Sequence, residues 1–130
     1  MLPAGAGGGL TGQGVSGIGI VDDPYKNMEE AQSSLMRRNI RDWFNTVFYT
    51  RLEGASAIVV HTRWHENDLI GELSSEGWET INVPAISDDG AALWPERFPL
   101  AELQDIREKI GAFAFEALYQ GRPRPRGDTV

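Results

Sequence analysis

The chain contains no cysteine, which excludes a disulfide framework, thiolate metal ligands and thiol redox chemistry, and fits a reducing compartment. Long apolar runs are also missing. No stretch approaches the ~20 consecutive apolar residues that span a bilayer, and the first residues lack the charged start and apolar run of a secretory signal. The expectation is therefore a soluble, intracellular protein that does not enter a membrane. Basic residues are scarce, 12 Lys and Arg against 19 Asp and Glu, for a net charge of -7. Phosphate attraction needs a basic surface, so this segment alone is not a general nucleic-acid binder. Nowhere does the sequence carry Gly-x-x-x-x-Gly-Lys-Ser/Thr, so no phosphate cradle of backbone amides can be assigned within it.

What remains is enough for one ordinary domain. With 130 residues and 41% hydrophobic content, folding buries roughly two-thirds of the unfolded surface. More than half of the 15 glycines fall within residues 5–19, so the opening is a tightly turning segment with little capacity to pack. Two short β-branched runs follow later, Ile18-Gly19-Ile20-Val21 ending in Asp22-Asp23-Pro24, and Ala57-Ile58-Val59-Val60 ending in His61-Thr62-Arg63-Trp64. Such runs, bounded by Gly and broken by polar residues, read as buried strands that deliver their last side chains to the carboxyl edge of a sheet. In open α/β sheets that edge is where ligands bind.

Between the strands, Asn27 with Glu30 three residues on reads as the cap of one long helix. Its apolar face would carry Met28, Ala31, Leu35, Ile40, Trp43 and Val47, widened by Phe44 and Phe48, with Arg37, Arg38 and Arg41 on a polar face. After the second strand, Asn67 or Glu66 opens a short helix that turns Leu69, Ile70 and Leu73 inward, and a third strand is expected over about 78–83. Strand, helix, strand, helix, strand is the pattern of parallel βαβ units. Pro84, Pro95 and Pro99 punctuate a loop before helices near 100–110 and 112–119, and residues 121–127 read as an exposed linker. The domain reading is a Gly-rich opening over 1–16, an α/β unit over 17–86, a helical subdomain over 87–120 and a linker over 121–130.

Paired carboxylates on one strand tip and a Thr-Arg pair on the next suit a magnesium-nucleotide site. One Asp holds the hydrated cation and the second orients or deprotonates the attacking water, while hydroxyl and guanidinium groups sense phosphate. Asp-Asp-Pro is equally a turn and helix-opening signal, and Arg63 or Arg51 is equally a structural salt-bridge partner. His61 and His65, four apart with Asp68 nearby, would make a zinc set on a helix. However, His61 continues a strand, and the Glu expected beside a first zinc histidine is absent, so His65 is read as orienting the loop. Trp64, Trp78, Trp94 and Phe98 read as core or subdomain packing in preference to base stacking.

Taken in order, Gly9-Leu10-Thr11-Gly12, Ile20-Val21-Asp22-Asp23-Pro24, Thr50-Arg51-Leu52, Ile58 through Leu69, Leu93-Trp94-Pro95-Glu96-Arg97-Phe98 and Ala117-Leu118-Tyr119-Gln120 resemble the large terminase subunit of tailed bacteriophages and prophages. The resemblance runs from about residue 7 to residue 125 and corresponds to the latter half of that family's ATPase domain. It implies a partial P-loop NTPase of the additional-strand type, with a parallel sheet, flanking helices and a small C-terminal helical subdomain. The function implied is a viral DNA-packaging motor in the cytoplasm of a bacterial host, followed in the intact protein by a nuclease domain. ATP and Mg2+ are the implied cofactors of the intact parent, and neither is expected to bind this chain tightly. Double-stranded DNA, the portal protein, the small terminase subunit and a homo-oligomeric ring are the implied partners.

Residue by residue, the resemblance makes Asp22 the magnesium-side carboxylate of the Walker B strand and Asp23 the catalytic carboxylate. Thr62 with Arg63 matches the coupling motif. Gln13 stands where the family pattern has arginine, and the Walker A loop that should precede residue 5 is absent, so the chain alone is expected not to turn over ATP. Family topology also puts the Walker A strand between the coupling-motif strand and the next one. Either 78–83 pairs directly with Ile58, Val59 and Val60, or the sheet keeps an open edge, and the chain is then expected to be marginally stable or self-associating. Rival readings are a helicase-like ATPase fragment, a non-catalytic α/β interaction remnant, and a small zinc hydrolase using His61, His65 and Asp68.

Overall fold

A computed structural model describes residue 14 and residues 16–125. Most of the Gly-rich opening, including the Gly9 to Gly12 motif and Gln13, lies outside the described residues, as does the end of the proposed linker. The elements run β1 (Ile18–Asp22), α1 (Met28–Gln32), α2 (Ser34–Trp43), β2 (Ser56–Val60), α3 (Leu69–Ser75), α4 (Leu100–Ile110) and α5 (Ala112–Leu118). The fold is mixed α/β: β1 and β2 form a two-stranded parallel sheet, with Ile20 opposite Ile58 and Asp22 opposite Val60. Among the described residues no helix is long and apolar enough to cross a membrane.

Pleating sorts the two strands into faces. Gly19 and Val21 of β1 are buried, with Ala57 and Val59 half-buried beside them, whereas Ile18, Ile58 and Val60 are exposed. The covered face packs against Ala31, Ile40, Trp43, Phe44, Phe48, Leu69 and Leu73, which form the main core with Tyr25. Burial of this set supplies the driving force, at roughly 25 cal/mol per Å² of apolar surface removed from water.

The single long helix expected from Asn27 is instead two helices in different phase. Asn27 does cap α1, its side chain accepting the Glu30 N–H at 2.8 Å. The Gln32-Ser33-Ser34 stretch then breaks the run: Ser33 adopts an extended backbone, and its hydroxyl accepts the Met36 N–H to cap α2. Serine competes for backbone groups in this way, which favours caps over helix interiors. The break re-phases the apolar stripe and leaves Leu35 58% exposed, contrary to the expectation that it is buried. Beyond α2, a π-helical turn over Phe44–Phe48 lets two aromatic rings four residues apart both enter the core, stacked with centroids 5.5 Å apart.

The third strand expected over 78–83 does not form. Trp78 turns into the core and meets Phe44 edge-on at 5.9 Å. Beyond it the chain runs past β2 without pairing, leaving Ile81 82% and Val83 62% exposed. A short hairpin joined at Ile86 and Ala92 leads to α4 and α5, which pack as a helical pair with Leu103 and Phe115 buried. Gly111, between them, has φ of 90°, a conformation that glycine adopts without a side-chain clash. Trp64 and Trp78 pack on the core as expected. Trp94 does not, being 58% exposed.

Candidate functional site

Parallel pairing brings the two strand tips side by side. The ladder extends one step past β1, the Asp23 N–H donating to the Val60 carbonyl at 2.8 Å. Asp23 then turns into the left-handed region with φ of 47°, a conformation that Asp tolerates better than most non-glycine residues. One Asp23 carboxylate oxygen accepts the Thr62 backbone N–H at 3.2 Å. A cleft of about 380 Å³ at this edge is lined by Asp23, His61, Thr62 and Arg63, with Asn82 and Tyr119 on its far side. Asp22 is the last residue of β1, on the pleat face shared with Ile18 and Ile20, and does not line the cleft. Arg51 lies in the 3-10 turn ahead of β2, outside the cleft, with its Nε buried and without a hydrogen-bond partner among the described residues.

Asp68 organises the loop that presents Thr62 and Arg63. Fully buried, it caps α3 where Asn67 or Glu66 was expected. Its Oδ1 accepts from Arg63 Nε at 2.9 Å and from the Gly71 N–H at 3.0 Å, and its Oδ2 accepts the N–H groups of Trp64 and His65. A buried carboxylate is stable only when so paired. Asp68 therefore neutralises the Arg63 charge while fixing its stem at the cleft. The sequence signal was Asp followed by Gly three residues on, which permits the close turn: a Cβ on Gly71 would fall on the Glu66 carbonyl oxygen.

The first N–H groups of α3 are all taken by protein. Leu69 donates to the Tyr25 hydroxyl at 2.9 Å, Ile70 to His61 Nε2 at 3.1 Å, Gly71 to Asp68 Oδ1 and Glu72 to the Asp68 carbonyl. Tyr25, directly after Pro24, is thus a buried strut between the β1 tip and α3, and burial pushes its hydroxyl pKa far up. No signal for that role was drawn from the sequence.

His61 stacks edge-on against Tyr25 at 5.5 Å. Its Nε2 accepts from Ile70, so Nδ1 carries the proton and donates to the Thr62 carbonyl at 2.9 Å. Burial lowers its pKa below the usual histidine value. His65 Nδ1 accepts the Asn67 N–H at 2.9 Å, the loop-orienting bond expected of it, and its pKa is lowered by burial and then by the Arg37 charge. These bonds, with both Asp68 oxygens occupied, commit the His61, His65 and Asp68 trio to loop architecture. Among the described residues no group of three or more metal-ligating side chains is assembled.

The exposed polar groups left at the edge are the Asp22 carboxylate, the second Asp23 oxygen and the Thr62 hydroxyl, none of which is hydrogen-bonded among the described residues. Two carboxylates without a protein cation suit a hydrated divalent ion that keeps most of its waters. No protein-family model matches the chain, and no curated protein matches it significantly.

Proposed function

We propose that this chain is the hydrolysis-side half of a DNA-packaging motor ATPase of the terminase large-subunit type, a partial P-loop NTPase. The supporting observation is the 3.2 Å bond from the Thr62 N–H to the Asp23 carboxylate, which ties the acidic strand tip to the Thr-Arg pair at one cleft. In this reading Asp22 would hold Mg2+ through water, with Asp23 beside it, and the ion would supply charge neutralisation to the nucleotide's phosphates.

Asp23 orients the attacking water and takes its proton. The water oxygen bonds to the γ-phosphorus as the bond to the β–γ bridging oxygen breaks, leaving ADP and phosphate. The Thr62 hydroxyl meets the γ-phosphate, and Arg63, held at the cleft by Asp68, passes nucleotide state to the rest of the loop. The phosphate cradle would come from a Walker A segment, a motif these 130 residues do not contain. Double-stranded DNA, the portal protein, the small terminase subunit and a homo-oligomeric ring are the partners of the complete motor, in the host cytoplasm.

The test joins the Walker A segment of a phage terminase ahead of residue 14 and measures phosphate release with Mg2+, ATP and DNA. Release that Asp23→Ala abolishes and Arg38→Ala leaves intact supports the proposal. A folded chimera whose release is indifferent to Asp23→Ala refutes it.

A further inference from the structure

An aspartate followed directly by glycine closes readily into a ring with its own main chain. Without a Cβ on the second residue, the backbone nitrogen reaches the preceding carboxyl carbon unhindered. Asp89-Gly90 is such a pair, and nowhere else in the 130 residues does Asp or Asn precede Gly. It stands at the turn of the hairpin joined at Ile86 and Ala92, with residues 87–91 all exposed. Gly90 takes φ of 87°, and nothing lies within 4 Å of the position a Cβ would occupy there. The outer side of the turn therefore has room for a five-membered ring.

Three hydrogen bonds oppose that closure. The Gly90 N–H, whose nitrogen is the nucleophile, donates to the Ser87 carbonyl at 2.9 Å. One Asp89 carboxylate oxygen accepts from the Ser87 hydroxyl and from the Ala91 N–H, the latter at 3.3 Å. The same two donors, the Ser87 hydroxyl first, hold the Asp89 pKa below the ordinary carboxylate value, whereas the ring forms from the neutral acid, whose hydroxyl can leave as water. All three bonds are lost together when the turn opens, and exposed turns open locally while the core stays folded.

We propose that Asp89 is a modification site of the folded chain, isomerising to isoaspartate through local opening of the hairpin, with the Ser87 hydroxyl as the brake. The Gly90 nitrogen bonds to Asp89 Cγ as a Cγ–O bond breaks, and the nitrogen's proton leaves with the carboxyl hydroxyl as one water. Water then adds to one of the two imide carbonyls. Opening at Cγ restores Asp89; opening at the main-chain carbonyl leaves the chain running through Cβ and Cγ, with a free α-carboxylate. One water leaves and one returns, nothing is oxidised or reduced, and no co-reactant is needed. The product adds one backbone carbon to the turn beside Ile86, whose N–H and C=O are both held by the Gln120 side chain at 2.9 Å. The Gln120 carbonyl accepts from Asn82, so the change bears on the side of the cleft that carries Asn82 and Tyr119. This goes beyond the nucleotide reading and does not depend on it.

The test incubates the folded 130-residue chain at mildly acidic pH and physiological temperature, digests it, and separates the peptide carrying residue 89 from its equal-mass isomer by chromatography. A protease that cuts before aspartate but not before isoaspartate identifies the product. The isomer is expected at residue 89 and not at Asp22, Asp42, Asp68 or Asp105. Asp89→Glu, whose longer side chain needs a six-membered ring, removes it. Ser87→Ala speeds it about fivefold, the weight of one hydrogen bond, and Ser87→Thr, which keeps the hydroxyl, returns the wild-type rate. The proposal is overturned if residue 89 of the folded chain stays unconverted over a period in which the urea-unfolded chain converts, or if conversion falls on another aspartate. It is equally overturned if Ser87→Ala converts no faster, or only in step with a lowered urea midpoint. No nucleotide enters the measurement, so its outcome is separate from that of the phosphate-release assay.

Discussion

Asp23 and Thr62, 39 residues apart in sequence, meet through a hydrogen bond of 3.2 Å from the Thr62 backbone N–H to the Asp23 carboxylate. The bond exists because β1 and β2 are parallel neighbours in register up to Asp22 and Val60. One more step of ladder carries both chains past the sheet edge together, and the left-handed turn at Asp23 swings its carboxylate across. Asp23, Thr62 and Arg63 are thereby presented to one cleft by backbone geometry, whereas Asp22, one residue earlier, lies outside it.

The turn at Asp23 predicts an ordering of substitutions. With φ of 47°, a β-branched side chain there is strained by about 1–2 kcal/mol, whereas glycine is not. Both Asp23→Gly and Asp23→Val lose the bond to Thr62, so the comparison isolates the backbone term. Urea unfolding should find Asp23→Val less stable than Asp23→Gly by about 1–2 kcal/mol; equal stabilities would show that the left-handed turn is not kept in solution.

Removing Asp68 leaves the Arg63 guanidinium and three backbone N–H groups without their acceptor in a buried setting. Asp68→Ala should cost about 3–5 kcal/mol in denaturant unfolding. Arg63→Ala should cost less, because the carboxylate then keeps its backbone donors. If the two variants are equally stable, the loop is not organised around Asp68.

Stability should fall as pH drops below the ordinary histidine range. The folded pKa values of His61 and His65 are lowered, mainly by burial, so the unfolded chain binds protons first. Unfolding free energy then rises with pH between the folded value and 6.5, and the contribution is lost as pH falls through that window. Comparing the slope for wild type and His61→Gln isolates one group among the titrating carboxylates. The variant should be flatter just below pH 6.5, and an unchanged slope would mean that His61 is solvated in the folded state.

Much of this architecture was legible in the sequence because it depends on local signals. Both strands announce themselves as β-branched runs ending in polar residues, Asn27 as a cap with Glu30, and α4 and α5 as the stretches that follow the loop punctuated by Pro84, Pro95 and Pro99. The misread parts depend on competition or on distant partners. Ser33 breaks a helix whose apolar spacing looked continuous, since its hydroxyl serves the next helix as well as it would tolerate the first. The β-branched Ile81 and Val83 suggested a third strand, yet a strand needs a neighbour, and Trp78 is drawn instead to Phe44 and the core. At the site, Asp22, Asp23, Thr62 and Arg63 were named from residue type and position, and parallel pairing explains the meeting of Asp23 with Thr62. That Asp68 would engage Arg63, and that Tyr25 would brace α3, depends on burial, which a single sequence reveals poorly.

Manganese relaxation separates the proposed single cation and phosphate site, at the acidic tip and the Thr-Arg pair, from scattered surface binding. Trace Mn2+ titrated into the 15N-labelled chain should broaden the amides of Asp22, Asp23 and Thr62 together, before those near other carboxylates such as Glu72 and Glu76. Replacing both Asp22 and Asp23 by Asn should abolish the effect. Broadening of Asp22 and Asp23 without Thr62, or centred on another acidic group, would rule out a shared cation and phosphate site.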